Sequence, residues 1–406
     1  MRDFHSPGRS AVYATNGMCA TSHPLAAKTA IDVLEQGGNA MDAAIAGAVL
    51  LGLCEPQSTG IGGDCFALIA IPGQSDIIGV NGSGRAPMAA SAAALREQGA
   101  QIVPPFKPDA ITIPGAIDAF CHMSENWGKL GLEAVLAPAI RYADEGIAVA
   151  PRVAFDWKHE SKTLQGHGRT HYLRDGAILG LGDVFHAPGQ AEVLRRVAQH
   201  GRDAFYTGEI AEDMLAAVQA MGGVHVMDDF VATHTDQTTP VIGAYKDVEL
   251  VEHPPNGQGA TAMLMLNILS HFDIADMDPV GTMRAHIEAE AGKLAYDARN
   301  RFIADPDHTT RLEHMLSPET ARQLAALIDP KKAMESPAAL SETVHKDTVY
   351  ITVVDKDRMA VSLIYSIYEA WGSGIASEKF GILLHNRGAG FTLEQGHPNE
   401  LAGGKR

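Results

Sequence analysis

Residues 348–367 read TVYITVVDKDRMAVSLIYSI, and this stretch decides the fold of the chain. Every residue from 348 to 354 is β-branched or aromatic, which is typical of a strand. Residues 355–358 are all charged and form a polar turn, and residues 359–367 are again mostly apolar. The pattern predicts a β-hairpin that begins at Thr348.

The chain before this hairpin is predicted to be mainly helical. Residues 40–53 are almost entirely small or apolar, which indicates a central helix that is buried on all sides. Residues 58–63 (STGIGG) form a glycine-rich turn, and the apolar run at 65–71 after it predicts a buried strand. The polar stretch 329–346 predicts an exposed loop before the hairpin. Gly, Pro and Asp residues bound predicted helices at 25–36, 40–53, 116–126, 132–145, 192–200, 210–221, 261–270 and 283–302.

Composition indicates a globular protein with a large buried core, since 46% of the 406 residues are hydrophobic and 20% are charged. The net charge of −17 repels phosphate backbones and anionic lipids, so neither a nucleic acid nor a membrane is an expected partner. We find no apolar run of the length that a secretory signal or a membrane span requires, and we expect a cytoplasmic protein. The four cysteines have no C-x-x-C spacing and are expected to be buried thiols.

Common catalytic motifs are missing from the sequence. It contains no G-x-S-x-G, no H-E-x-x-H and no G-x-x-x-x-G-K-[ST], and the glycines at 60, 62 and 63 do not form G-x-G-x-x-G. None of the 18 histidines has a second ligand at metal-binding spacing, so we expect no metal and no other cofactor. Residue patterns alone therefore indicate an α/β or α+β protein with a C-terminal hairpin, and they name no reaction.

Three groups of short stretches nevertheless follow one another in a specific order. The first group lies at 22–26, 36–44, 55–56 and 60–63, the second at 204–211, 222–223, 227–230 and 254–259, and the third at 347–355, 360–362, 372–374, 381–384 and 386–387. In all three groups, over essentially its whole length, the chain resembles the γ-glutamyltranspeptidase family of N-terminal-nucleophile hydrolases.

The resemblance implies an α+β fold, the four-layer αββα sandwich, in one structural domain that is incomplete at its C-terminus. Residues 1–347 would form the large-subunit region of a proenzyme, and residues 348–406 the N-terminal part of the small, catalytic subunit. Such precursors cleave themselves, here between Asp347 and Thr348, and both subunits come from one chain. Thr348 would then be the nucleophile, with its new α-amine, of pKa near 8, as the base.

The resemblance also implies a substrate site formed by Arg85, Ser366, Tyr368, Asn386 and Arg387. The family holds an α-carboxylate with an arginine before A-P, whereas Arg85 lies two residues nearer to that Ala-Pro pair. Tyr368 replaces the usual Asn. The family also binds an α-amino group with an acid after G-I-L-L, but residues 385–391 read HNRGAGF and contain no acid. We therefore expect a small amide that carries a carboxylate and no α-amine, as in the oxamate-amidohydrolase-like branch.

Two alternatives stay open at this level. One is a γ-glutamyltransferase or glutathione hydrolase, which would act on γ-glutamyl amides. The other is an inactive fragment that serves only as a binding or structural piece, because family members continue beyond residue 406 and that portion supplies the glycine amides of the oxyanion hole. Without one such donor the reaction would slow by about 10² to 10³.

Overall fold

The computed structural model describes residues 10–335 and 348–406. Within these residues the strands are β1 (Gly17–Thr21), β2 (Asp64–Ala70), β3 (Ile77–Gly82), β4 (Ile147–Ala148), β5 (Val184–Phe185), β6 (Asp236–Thr238), β7 (Val241–Tyr245), β8 (Val248–Glu252), β9 (Val349–Asp355) and β10 (Ala360–Ser366). The helices are α1 (Pro24–Glu35), α2 (Ala40–Cys54), α3 (Ala92–Glu97), α4 (Ala116–Trp127), α5 (Leu132–Glu145), α6 (Pro151–Glu160), α7 (Gly166–Tyr172), α8 (Pro188–His200), α9 (Asp203–Tyr206), α10 (Gly208–Ala220), α11 (Met227–Val231), α12 (Gly259–Leu269), α13 (Thr282–Phe302), α14 (Leu312–Leu316) and α15 (Pro318–Ala325).

The described residues fall into two compact units. The sheet unit comprises residues 16–238, 348–395 and 400–406, and the helical unit comprises 10–15, 239–335 and 396–399. The expected subunit boundary lies between Asp347 and Thr348. Thr348 is described, whereas Asp347 is one of residues 336–347, which lie outside the described residues. Both that boundary and the expected single domain stay predictions.

The sheet unit is built on a six-stranded sheet in the order β1-β9-β10-β2-β3-β6. Each of its neighbouring strand pairs is antiparallel. The predicted hairpin is confirmed as β9 and β10, and it lies inside the sheet between β1 and β2. With the surrounding helices, the sheet places the chain in the α+β class, as predicted.

Helix α2 is the buried central helix that its sequence predicts, since all of its residues from Ala40 to Cys54 are buried. Its start is fixed by a capping box, in which Asn39 caps the first turn and the Asp42 side chain accepts the Asn39 N–H. The Ala40 N–H donates to the Asp355 carboxylate at 2.9 Å, which ties the helix to the turn of the hairpin. At Gly47 a side chain would come within 2.5 Å of Ile351, so this glycine lets the helix approach the sheet.

The glycine-rich turn packs closely against the end of β10 and against Leu383. A Cβ atom at Gly62 would lie 2.2 Å from the Leu383 carbonyl oxygen, and one at Gly63 would lie 2.2 Å from that of Ser366. No other residue type fits at such distances. The turn therefore delivers Asp64, the first residue of β2, directly beside the end of β10.

The helical unit has its own apolar core, formed by residues of α12, α13, α14 and α15. The sequence predicts α12 and α13 but misses the hairpin of β7 and β8, whose strands carry several charged or small residues. It also places the start of α8 at 192 rather than at Pro188, because a proline suits the first helical turn as well as it suits a loop. Among the described helices, none is long and apolar enough to cross a membrane.

Candidate active site

Three side chains form a row across neighbouring strands of the sheet. Ser366 of β10 is paired directly with Asp64 of β2, and residues paired in this way project from the same face. On the other side of β10, Tyr365 pairs with Val349, so the next position along β9 is Thr348. The Oγ1 atom of Thr348 lies 3.2 Å from the Ser366 Oγ atom. Thr348, Ser366 and Asp64 therefore lie side by side.

Thr348 is exposed, whereas Ser366 beside it is fully buried. The Tyr368 N–H donates to the Ser366 hydroxyl oxygen at 2.8 Å, which fixes that oxygen in place. The Ser366 hydroxyl is thus a rigid hydrogen-bond partner for the Thr348 hydroxyl. A threonine that is held at a strand end but reached by solvent is suited to act as a nucleophile.

The segment after β10 holds a strained backbone. Tyr368 has φ 80° and Trp371 has φ 62°, both in the left-handed region that side chains other than glycine seldom adopt. The segment is held to the start of the glycine turn and to the residue before it, since the Ile367 N–H donates to the Ser58 carbonyl and the Trp371 N–H donates to the Gln57 carbonyl. Strain of about 1–3 kcal/mol per residue persists only where the surroundings enforce it, and such residues cluster at functional sites.

Arg387 and Asp64 form a bidentate ion pair. Arg387 donates through Nε to Oδ2 and through Nη2 to Oδ1, the latter at 2.7 Å. The Asp64 side chain is 1% exposed and that of Arg387 is 28% exposed. The guanidinium carbon also lies 4.9 Å from the centre of the Tyr368 ring, a cation–π contact. The pKa of Arg387 is raised, because burial would lower it but the charge of Asp64 and its hydrogen bond outweigh burial.

His385 lies behind this pair and is completely buried. Its Nε2 atom lies 2.8 Å from the Thr112 carbonyl oxygen, so we assign the ring proton to Nε2. Its Nδ1 atom lies 3.7 Å from the Asp64 carboxylate and has no hydrogen-bond partner among the described residues. Burial lowers the pKa of His385, although Asp64 acts in the opposite direction. The ring is therefore neutral at neutral pH.

Asn386 and Arg85, both expected to bind substrate, make contacts within the protein. The Asn386 Nδ2 group donates to the Pro105 carbonyl and to the Glu369 carboxylate, each at 3.0 Å, which orders the strained segment. Arg85 donates to the Gly404 carbonyl at 3.0 Å and lies 3.6 Å from Asp236. The structure brings together Thr348, Ser366, Tyr368 and Arg387, and the substrate contacts of Asn386 and Arg85 stay predictions.

Sequence reasoning missed Asp64 and His385. It sought an acid only in residues 385–391, whereas the carboxylate beside Arg387 comes from the glycine turn, 323 residues earlier. One signal was present, since an aspartate at the start of an apolar strand must find a partner when it is buried. Within the described ranges, no group of three or more His, Cys, Asp or Glu side chains could hold a metal ion.

Comparisons with known proteins agree on one family. The family model described as Gamma-glutamyltranspeptidase matches residues 26–406. The chain is 34% identical to the glutathione hydrolase-like YwrD proenzyme of Bacillus subtilis, over 97% of this chain and 75% of that protein. It is 33% identical to the oxamate amidohydrolase proenzyme of Klebsiella pneumoniae, over the same shares. The crystal structure of cephalosporin acylase from Bacillus halodurans matches with a TM-score of 0.89 and 35% identity, over 100% of this chain and 76% of that one.

Proposed function

Because the chain belongs to the gamma-glutamyltranspeptidase family, we propose that it hydrolyses a small carboxylate-bearing amide through an acyl-enzyme on Thr348. Membership makes the chain an N-terminal-nucleophile enzyme, and the structural match confirms that fold. The relatives above are amidohydrolases and acylases, so amide hydrolysis is the activity at family level. The substrate and the residues that act on it are our proposal.

The contact between Thr348 Oγ1 and Ser366 Oγ carries the proposal. In the proposed reaction the Thr348 oxygen attacks the amide carbon, and its proton passes to the α-amine of Thr348. The carbon–nitrogen bond then breaks, and the amine leaves with a proton. Water attacks the resulting ester, which releases the carboxylic acid and restores the Thr348 hydroxyl. Ser366 holds the Thr348 oxygen in line throughout.

The carboxylate of the substrate would bind at Arg387. The guanidinium uses Nε and Nη2 for Asp64, and Nη1 makes no hydrogen bond within the described part of the chain. The name of the Klebsiella relative supports a small amide of this type, since oxamate bears a carboxylate next to its amide. The alternative, a γ-glutamyl amide, is favoured by the name of the Bacillus subtilis relative. Asp64 could bind the α-ammonium group of such a substrate only if its ion pair with Arg387 were broken.

Self-cleavage between Asp347 and Thr348 is the first test of the proposal. Two of the relatives are named proenzymes, and a precursor that is cut there would free the Thr348 amine. We expect intact-mass measurement to show two fragments, residues 1–347 and 348–406, and Thr348→Ser to cleave more slowly. Thr348→Ala should stay one chain, whereas Thr352→Ala on the same strand should cleave as the unaltered protein does.

An uncleaved protein, or a new N-terminus elsewhere, would contradict the assignment of Thr348. It would instead favour the remaining alternative, a non-catalytic binding or structural piece. Cleavage with no turnover of oxamate would leave Thr348 as the nucleophile and contradict the proposed substrate.

A further inference from the structure

One strand, β10, separates the Asp64–Arg387 pair from the proposed nucleophile Thr348. Asp64 is the direct partner of Ser366 in the sheet, and the Ser366 hydroxyl lies 3.2 Å from that of Thr348. Arg387 reaches this place from a later stretch of the chain, which is held to the glycine turn by the hydrogen bond from the His385 N–H to the Gly62 carbonyl at 3.1 Å. Ser366 therefore lies between Thr348 and this pair.

The two charges of the pair largely cancel each other. Each carboxylate oxygen of Asp64 accepts one hydrogen bond from the Arg387 guanidinium. This bidentate arrangement is the strongest geometry for a carboxylate and a guanidinium. His385 adds no charge, because burial lowers its pKa. Asp64 and Arg387 therefore present neither a free cation nor a free anion, although they are one residue of each sign.

We propose that the Asp64–Arg387 pair determines whether the site prefers a negative, a neutral or a positive acyl group in its substrate. Asp64 positions Arg387, cancels most of its charge and leaves Nη1 to donate to a single oxygen atom of the substrate. Each partner, once the other is removed, selects the opposite charge: Arg387 alone a carboxylate, and Asp64 alone an ammonium. The inference rests on the proposed role of Thr348. It assigns a role in substrate selection to Asp64, which takes no part in the proposed reaction.

Three amides with different charged groups test this assignment. Oxamate carries a carboxylate, oxamide is its neutral isostere, and a γ-glutamyl anilide carries both an ammonium group and a carboxylate. For Asp64→Asn we expect the ratio of kcat/KM for oxamate over oxamide to rise about tenfold, because the cation is no longer cancelled. For Arg387→Gln we expect that ratio to fall about tenfold, and the γ-glutamyl anilide to gain on oxamate. Both changes should lie mainly in KM.

The double variant Asp64→Asn/Arg387→Gln separates charge from structural damage. It removes both charges, so its oxamate-to-oxamide ratio should return to within about threefold of the unaltered protein, even if its overall rate is low. A matched control is the ion pair between Asp118 and Arg202, in which Asp118 is also buried. Asp118→Asn should lower the melting temperature without moving the ratio.

The proposal is overturned if both single variants shift the ratio in the same direction, or if neither shifts it more than twofold. Loss of a charge partner can unfold a protein, so the melting temperature and the extent of self-cleavage are measured for each variant. If only one variant folds, that variant alone decides, since each has its own predicted sign.

A wrong assignment of the substrate gives a different result from a wrong assignment of the ion pair. A protein that self-cleaves but hydrolyses neither oxamate nor oxamide contradicts the proposed function, and the pair is then tested by calorimetric titration with oxalate, which requires no turnover. Asp64→Asn should bind oxalate about tenfold more tightly than the unaltered protein, and Arg387→Gln should bind it more weakly. Equal affinities, or no binding by any of the three, would overturn the assignment of the pair.

Discussion

Ser366 connects the proposed nucleophile, Thr348, to the strained segment beside it. Its hydroxyl contacts Thr348 Oγ1 and also accepts the Tyr368 N–H. Because Ser366 is fully buried, water cannot replace the lost partner if the hydroxyl is removed, and the Tyr368 N–H would be left unsatisfied at a cost of about 1–3 kcal/mol. We therefore expect Ser366 to position Thr348 and Tyr368.

Ser366→Ala is expected to lower kcat about tenfold to a hundredfold, because the Thr348 oxygen loses its fixed partner. Ser366→Thr keeps the hydroxyl and should retain most of the rate. Steady-state kinetics on oxamate, with self-cleavage followed on a denaturing gel, measures both effects. If the alanine variant has an unchanged kcat, or if threonine fails to rescue the rate of a folded protein, Ser366 does not position the nucleophile.

Helix α2 packs against the two strands of the central hairpin, β9 and β10. Its N-terminal turn is tied to neighbouring segments by one buried carboxylate: Asp42 accepts the N–H groups of Lys129 and Leu130 at 3.0 to 3.3 Å, besides that of Asn39. Several backbone donors are thus satisfied by a single side chain. A helix that is apolar on all sides has few other polar contacts to fix its position along its axis.

Asp42→Asn is expected to lower the free energy of unfolding by about 2–4 kcal/mol, because an amide group cannot accept all of these bonds and its own N–H donors face them. Denaturant titration followed by circular dichroism measures the loss. Asp32→Asn on the neighbouring helix α1 is the control, since Asp32 forms only a surface ion pair with Lys28 and should leave the midpoint nearly unchanged. Equal losses in the two variants would show that the Asp42 contacts add little.

For the whole molecule, the ionisation of buried histidines links stability to pH. Burial lowers the pKa values of His385, His225 and His23 in the folded chain. Such a histidine binds fewer protons folded than unfolded, so stability is complete above the ordinary histidine pKa of about 6.5 and is lost as pH falls through that value. Burial raises the pKa of Glu55, so this carboxyl group binds a proton more readily in the folded chain and opposes the loss.

We expect the melting temperature to fall between about pH 7.5 and pH 6.0, where these histidines gain protons in the unfolded state. His225→Gln should make that fall smaller, whatever its effect on the melting temperature itself, because one of the three groups is gone. His200→Gln, at an exposed position, should leave the pH dependence as it is. Differential scanning calorimetry at the two pH values measures the change, and a melting temperature that is equal or higher at pH 6.0 would contradict the prediction.

The sequence by itself determined the elements that depend on local pattern. The hairpin of β9 and β10, the buried helix α2, and the glycine turn were all predicted within one or two residues, because hydrophobic periodicity and capping are properties of neighbouring residues. The resemblance of ordered motifs added the family, the fold and the candidate nucleophile Thr348. Elements with mixed composition, such as the hairpin of β7 and β8, gave no such pattern and were missed.

Only the tertiary structure decided which charges meet. Asp64 faces Arg387 for two reasons. Strand register sets Asp64 opposite Ser366, and the stretch that contains His385 and Arg387 returns to the glycine turn. The same register puts the Thr348 hydroxyl beside Ser366, whereas Arg85 is paired with Gly404 and Asp236. A local pattern carries no information on pairings between residues hundreds of positions apart, because these arise from the register of strands and the packing of layers. The ion pair between Asp64 and Arg387, across β10 from the proposed nucleophile, is for this reason a property of the fold.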